Sequence, residues 1–184
     1  MLDRITLITG NAGKAAEYAA MLGIEVNPAR AELTEVQSLD VAHVAARKAA
    51  DAYDQLREPV LVDDTGLTIH AWNGLPGALV AWFIDTVGPQ GILNMAAGIT
   101  DRRATVSTAL GYADATGVRV FQGTVDGSLA TEPRGTSGFG YDPIFIPDSD
   151  SGHRTYAQMT SEEKNKISHR RHAVEAMRSG LGLG

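Results

Sequence analysis

Six consecutive residues, Thr9-Gly10-Asn11-Ala12-Gly13-Lys14, lie between a short β-branched run and a run of helix formers. At a strand-to-helix junction backbone N–H groups and the positive end of the helix dipole converge, which favours an anion. The glycines allow close backbone approach, and Lys14 brings a full positive charge. The same residues also read as a plain glycine turn with a solvated lysine. They do not form a Walker A loop, because Lys14 is followed by Ala15 where that loop has Ser or Thr.

Asp63-Asp64-Thr65-Gly66 follows the apolar triplet Val60-Leu61-Val62, which reads as a buried central strand. Ligands gather outside the carboxyl ends of such strands, so two carboxylates there are placed for chemistry. Neighbouring side chains on a strand point to opposite faces, so the two are not expected to share one job. One can hold magnesium through oxygen while the other acts as a base or orients a neighbour. Asp-Asp-Thr-Gly is equally good turn chemistry. Glu35 and Lys48, taken alone, read as solvated surface positions.

Ser137-Gly138-Phe139-Gly140-Tyr141-Asp142-Pro143 sets two aromatic rings among glycines. A ring face stacks a nucleobase for about 1–3 kcal/mol, and Asp142 can accept hydrogen bonds from a base edge. The alternative is that these rings pack beneath the loop. Lys164, Asn165, Ser168, His169 and Arg170 form the last group. On one unbroken helix Lys164 and His169 lie about 140° apart and do not converge. A new helix capped by Ser168 puts His169 and Arg170 in its first turn. The competing pattern is a single helix from Thr160, whose spacing to Glu163 makes a capping box.

The elements that must position these groups follow from pattern. Ile5 to Thr9 reads as a strand, Ala12 to Leu22 as a helix ended by Gly23, and Ile24 to Asn27 as a strand closed by Pro28. Apolar residues at Val41, Val44, Ala45, Ala49 and Ala52 give an amphipathic helix from Asp40, its N-cap, to Leu56. After the Val60 strand, Leu67 to Ala71 reads as a further strand and Gly74 to Gly77 as a loop. Helices at Ala78 to Val87 and Gln90 to Ala97 are separated by Gly88-Pro89. Ala104 to Ala113 and Val118 to Val125 form an antiparallel hairpin, and Asp126-Gly127 turns the chain into another strand. A short strand at Pro143 to Ile146 precedes helical sequence reaching Met177, with Ser179 to Gly184 frayed. The expectation is an α/β fold: a mixed β-sheet flanked by helices, in a single domain spanning residues 1–184.

A formal net charge of −6 disfavours a broad nucleic-acid footprint. The absence of cysteine removes disulfides, thiolate zinc sites and cysteine nucleophiles, and suits a reducing compartment. The first strand is short for a signal peptide's apolar region, and no apolar run approaches the roughly 20 residues that span a bilayer. The expected location is the cytoplasm, with no membrane partner.

The motifs taken in order resemble those of the inosine/xanthosine triphosphate pyrophosphatases, a family that removes deaminated purine nucleotides. The matching stretches are Thr9 to Lys14, Val62 to Leu67, Gly74 to Gly77, Gly138 to Pro143, and Glu163-Lys164-Asn165 with Ser168-His169-Arg170. Gly74 to Phe83 looks more like the branch containing the eukaryotic enzymes than the typical bacterial one. The resemblance implies two lobes around a central substrate cleft, a homodimer, and magnesium-dependent hydrolysis between the α and β phosphates. It makes Thr9, Gly10, Asn11, Ala12, Gly13 and Lys14 the triphosphate cradle, with Lys14 also catalytic and Lys48 adding charge. Glu35 and Asp64 become magnesium ligands, Asp64 the residue that activates water, and Thr65 a substrate contact. Phe139, Gly140, Tyr141 and Asp142 line the base pocket, which Lys164, His169 and Arg170 close. On this reading His169, Arg170 and main-chain groups favour a 6-oxo purine and leave the 6-amino group of adenine unpartnered. Rival readings are a related pyrophosphatase acting on other modified nucleotides and a nucleotide-binding sensor without turnover.

Overall fold

The computed structural model describes residues 4–10 and 12–183, apart from the side chains of residues 12 and 13. Strand β1 (Arg4–Ile8) buries Ile5 and Leu7 against one layer and Ile8 against the other, while Arg4 is exposed and Thr6 half-buried. Helix α1 (Ala12–Leu22) follows and buries Ala15, Tyr18 and Leu22, one helical stripe. Gly23, at φ +69°, ends it, with its N–H bonded to the Ala19 carbonyl. Strand β2 (Glu25–Ala29) pairs parallel with β1 and is the edge of the sheet. That edge position accommodates Pro28, which was expected to close the strand and instead lies within it. An extended segment then leads to α2 (Val41–Leu56), whose N-cap Asp40 accepts from the Ala42 N–H at 2.8 Å. Its buried stripe is Val41, Val44, Ala45, Ala49 and Ala52, as the spacing requires.

The largest departure from expectation is β3 (Val60–Ile69), which runs straight through Asp63-Asp64-Thr65-Gly66. The turn chemistry of those residues is overridden because strand β5 (Arg103–Asp114) pairs antiparallel with every residue of β3. The aspartates therefore lie mid-strand and not at a strand's carboxyl end. The other edge of β3 is discontinuous. There β1 pairs only as far as Ile8 with Val62, and the two-residue strand β4 (Pro76–Gly77) resumes at Leu67 and Thr68. Between them, no strand among the described residues pairs with 63–66 on that side. A gap in the sheet thus opens beside the two aspartates.

Helix α3 (Val80–Met95) is broken at Gly88, φ 69°, ahead of Pro89, where two helices were expected. Strand β6 (Gly117–Leu129) completes the hairpin with β5 and continues through Asp126-Gly127, which does not turn. Gly127 is needed there for closeness: a Cβ on it would lie 2.7 Å from the Phe145 ring. The strand expected over Pro143 to Ile146 starts two residues later, because a 3₁₀ turn (Asp142–Ile144) takes its first residues and β7 spans Phe145–Pro147. Helices α4 (Ser161–Ile167) and α5 (His169–Leu181) meet at Ser168. The single helix from Thr160 is not realised: its capping box with Glu163 caps α4, but the chain turns extended at Ser168, which caps α5 as a new helix. The expected fraying from Ser179 is absent up to Leu181.

The sheet order is β2-β1-β3-β5-β6-β7, with β4 beside β3. Helices α1 and α5 pack one face through Tyr18, Leu61, Leu110 and Met177, while α2 packs the other through Ala45, Ala49, Val62 and Ala109. A third cluster, with Ile69, Ile92, Phe145 and Tyr156, holds α3 and β7 at the far end of β3. The gap beside residues 63–66 lies between these two ends.

Candidate active site

Alternation along β3 sends the two aspartates to opposite faces. Asp63 meets α1: its Oδ2 accepts from Lys14 Nζ at 2.9 Å and from the Tyr18 hydroxyl at 3.3 Å. Burial pushes the Asp63 carboxyl up, but Lys14 and Arg170 with these hydrogen bonds outweigh it and hold the group below its ordinary value. Asp64 faces α2, where its Oδ1 accepts from Lys48 Nζ at 3.0 Å, and Lys48 also pairs with Glu35 at 2.7 Å. Here burial prevails over Lys48, aided by Asp63 and Glu35, and the carboxyl rises to about 6. Burial works against the Lys48 ammonium, but its two carboxylate partners raise it overall. The second oxygen of Asp64, Oδ2, is buried and has no hydrogen-bond partner.

At the other end of the groove Phe139 is 44% exposed while Tyr141 is 8% exposed, so one ring is presented and the other packs under the loop. Lys164 Nζ lies 4.9 Å and the Arg170 guanidinium 5.6 Å from the centre of the Phe139 ring. Asp142 is buried, and its Oδ2 accepts from Lys164 Nζ and, at 2.8 Å, from the Phe139 N–H. That oxygen anchors the loop and the lysine. Arg170 is 2% exposed and pairs with Glu17 at 2.7 Å. His169, in the first turn of α5, sits between Thr108 and the Tyr141 hydroxyl.

Three cavities share walls and make one groove. The first, about 750 Å³, is bounded by Phe139, Lys164 and Arg170 and reaches Thr9, Gly10, Lys14 and Thr65. The second, about 340 Å³, shares Lys14 and Thr65 and adds Asp63, Asp64, Lys48 and Glu35. The third, about 630 Å³, joins Thr9 and Gly10 to Lys48 and Glu35. Lys14 with Thr9 and Gly10 lines its middle, paired carboxylates one end, and a cation-flanked aromatic face the other. That is a receptacle for a polyanion carrying a flat heterocycle.

The Ham1 family model matches residues 5–180. The chain belongs to the Ham1 family. Among its relatives is inosine triphosphate pyrophosphatase 2 of Trypanosoma cruzi, 41% identical over 98% of this chain and 93% of that protein. The dITP/XTP pyrophosphatase of Hyperthermus butylicus is 42% identical over 96% of this chain and 94% of its own length. The solved Ham1 protein of Staphylococcus aureus superposes with a TM-score of 0.86 at 30% identity, covering 97% of this chain and 98% of that one.

Within this Ham1 fold the site residues named from sequence are brought to one groove, including Glu35 and Lys48, which nothing local singles out. Asn11 and the side chains of Ala12 and Gly13 lie outside the described residues. Among the described residues no group of three or more His, Asp or Glu side chains converges as a metal cage. Sequence reasoning missed Glu17, Tyr18 and Thr108. Tyr18 stands four residues after Lys14 on one helix face, and Thr108 is a polar residue in the inward alternation Ala104, Val106, Thr108, Leu110. Both signals were present in the pattern.

Proposed function

We propose that this protein hydrolyses deaminated purine nucleoside triphosphates, ITP, dITP and XTP, to the monophosphate and pyrophosphate. The observation that carries it is the continuous groove, with a stacking face at one end and a buried carboxylate of raised pKa at the other. The kinship with proteins named for these activities supports the same substrate class. A base on Phe139 directs the triphosphate past Lys14 and Thr65 toward Asp64. Water attacks the α-phosphorus, the bond from that phosphorus to the α–β bridging oxygen breaks, and pyrophosphate leaves. Lys14 and Lys48 neutralise the charge that collects on the leaving group. Asp64, whose carboxyl burial raises in the metal-free protein, is the carboxylate placed to orient the attacking water and take its proton.

The residues fit a magnesium ion. Magnesium takes one or two carboxylates together with substrate phosphates and water. Asp64 offers a buried oxygen without a partner, and Glu35 shares Lys48 with it. When bound, magnesium would add positive charge against the phosphates. The reading also carries a homodimer and a cytoplasmic location. No helix among the described residues is long and apolar enough to cross a membrane.

The test is pyrophosphate release from ITP, XTP, dITP, GTP and ATP, with magnesium and with EDTA. The expected result is magnesium-dependent release from the deaminated purines that drops by at least about a hundredfold in Asp64→Asn. Folded protein that releases pyrophosphate from none of them would overturn the reading.

A further inference from the structure

Thr108 is fully buried on β5, and among the described residues its hydroxyl has a single side-chain partner, His169 Nδ1 at 2.5 Å. The other ring nitrogen, Nε2, lies 3.2 Å from the Tyr141 hydroxyl. The Tyr141 and Tyr156 rings flank the imidazole at centroid distances of 6.2 and 6.3 Å and hold its plane. Burial, with Arg170, Lys164 and Lys14 nearby, keeps His169 neutral, so one nitrogen donates and the other accepts.

Which nitrogen carries the hydrogen follows from satisfying the buried groups. With hydrogen on Nδ1, the imidazole would donate to Thr108 and leave the Thr108 O–H buried without an acceptor. That state is penalised as any buried unpaired donor is. With hydrogen on Nε2, Thr108 donates to Nδ1 and Nε2–H donates to the Tyr141 oxygen. Each tautomer leaves one hydroxyl hydrogen over, that of Thr108 with Nδ1–H or that of Tyr141 with Nε2–H. Thr108 is fully buried and outside the cavity lining whereas Tyr141 lines the cavity, so only the second can be satisfied by a bound molecule. Among the described residues the Tyr141 hydroxyl hydrogen has no other acceptor, and Tyr141 lines the cavity beside Phe139. Burial first, and then Asp142, raises the Tyr141 phenol above its ordinary value, so it remains a donor.

We propose that Thr108 is a positioning residue that fixes His169 as its Nε2–H tautomer, thereby aiming the Tyr141 hydroxyl hydrogen at the 6-oxo group of a bound purine. The inference rests on the pyrophosphatase reading and names what discriminates within it. A 6-oxo group accepts this hydrogen, whereas the 6-amino group of adenine meets donor with donor. Guanine shares the 6-oxo group, so this relay separates oxo from amino purines and leaves the 2-position to other contacts.

The experiment compares kcat and KM for ITP and ATP in the wild type, Tyr141→Phe, Thr108→Val and Thr108→Ser. Side-chain ¹⁵N NMR of His169 is recorded alongside. Tyr141→Phe is expected to lower the ITP-over-ATP preference at least about tenfold, mostly through KM for ITP. Thr108→Val should do the same and lose the pyridine-like Nδ1 signal, while Thr108→Ser, which keeps the hydroxyl, should retain both. Should Thr108→Val fail to fold, Tyr141→Phe and the wild-type spectrum decide. An unchanged preference in Tyr141→Phe, or a wild-type His169 protonated at Nδ1, overturns the relay while leaving the pyrophosphatase reading intact. A wild type that releases no pyrophosphate from ITP overturns that reading and the donor role together.

Discussion

Asp63 and Asp64 are adjacent, identical in chemistry and opposite in circumstance, and the difference is measurable. Asp63 is stabilised as a carboxylate by Lys14, Arg170 and Tyr18, so its folded pKa is depressed. Its contribution to stability is present above the unfolded value of about 3.9 and lost as pH falls below it. Asp64 has its folded pKa raised to about 6. Its contribution is therefore favourable only below the unfolded value and turns unfavourable as pH rises through 6. At about 1.4 kcal/mol per pKa unit, the ionised Asp64 costs on the order of 3 kcal/mol at neutral pH. Two outcomes follow for the substrate-free protein at pH 7. Asp64→Asn should raise the melting temperature while abolishing turnover, and Asp63→Asn should lower it by breaking a buried ion pair. Thermal melts of both variants check this, and equal destabilisation would show that the two carboxylates are not differently held.

At the scale of elements, the helices were legible and the strand ends were not. The stripe of α2, its Asp40 cap, the break at Gly88-Pro89 and the Ser168 cap are local signals, readable within a few residues. The strands β3 and β6 run through Asp63-Asp64-Thr65-Gly66 and Asp126-Gly127 because partners far along the chain hold them extended, and no window of sequence contains those partners. Helix α5 shows how an element sets a site. Gly123 on β6 lies directly under it, where a Cβ would overlap the His169 carbonyl and the Ala173 nitrogen. Gly123→Ala should therefore lift the first turn of α5, which carries His169 and Arg170. Overpacking of this kind costs about 1–3 kcal/mol, and kcat/KM for ITP should fall about tenfold or more because a small misplacement is costly in rate. Gly98→Ala is the control, since nothing lies within 4 Å of its Cβ position. If both variants keep full activity, α5 is not what registers the pocket.

For the whole molecule, the site is a property of the gap in the sheet, and the gap exists only in three dimensions. The motifs announced Lys14, Asp64, Phe139 and Arg170, but not that Arg170 would pair with Glu17 or His169 with Thr108, contacts 153 and 61 residues apart in sequence. Global stability reports on that assembly through His169. Its folded pKa is well below the unfolded value of about 6.5, because burial and the cations Arg170, Lys164 and Lys14 all oppose a proton. Below pH 6.5 the unfolded chain binds a proton that the folded protein does not, so His169 makes stability fall with acidity at up to about 1.4 kcal/mol per pH unit. Asp64 has the reverse slope between about 4 and 6, since there the folded state binds the extra proton. The two oppose each other in the wild type, so a single profile hides both. The difference between wild type and His169→Gln isolates the histidine, because Asp64 is common to both proteins. Denaturant titrations should show the wild-type advantage over the variant shrinking steadily from about pH 6.5 to pH 5. A difference that stays constant across that range would mean that His169 takes up its proton within the folded protein, and that its surroundings admit a charge the packing is argued to exclude.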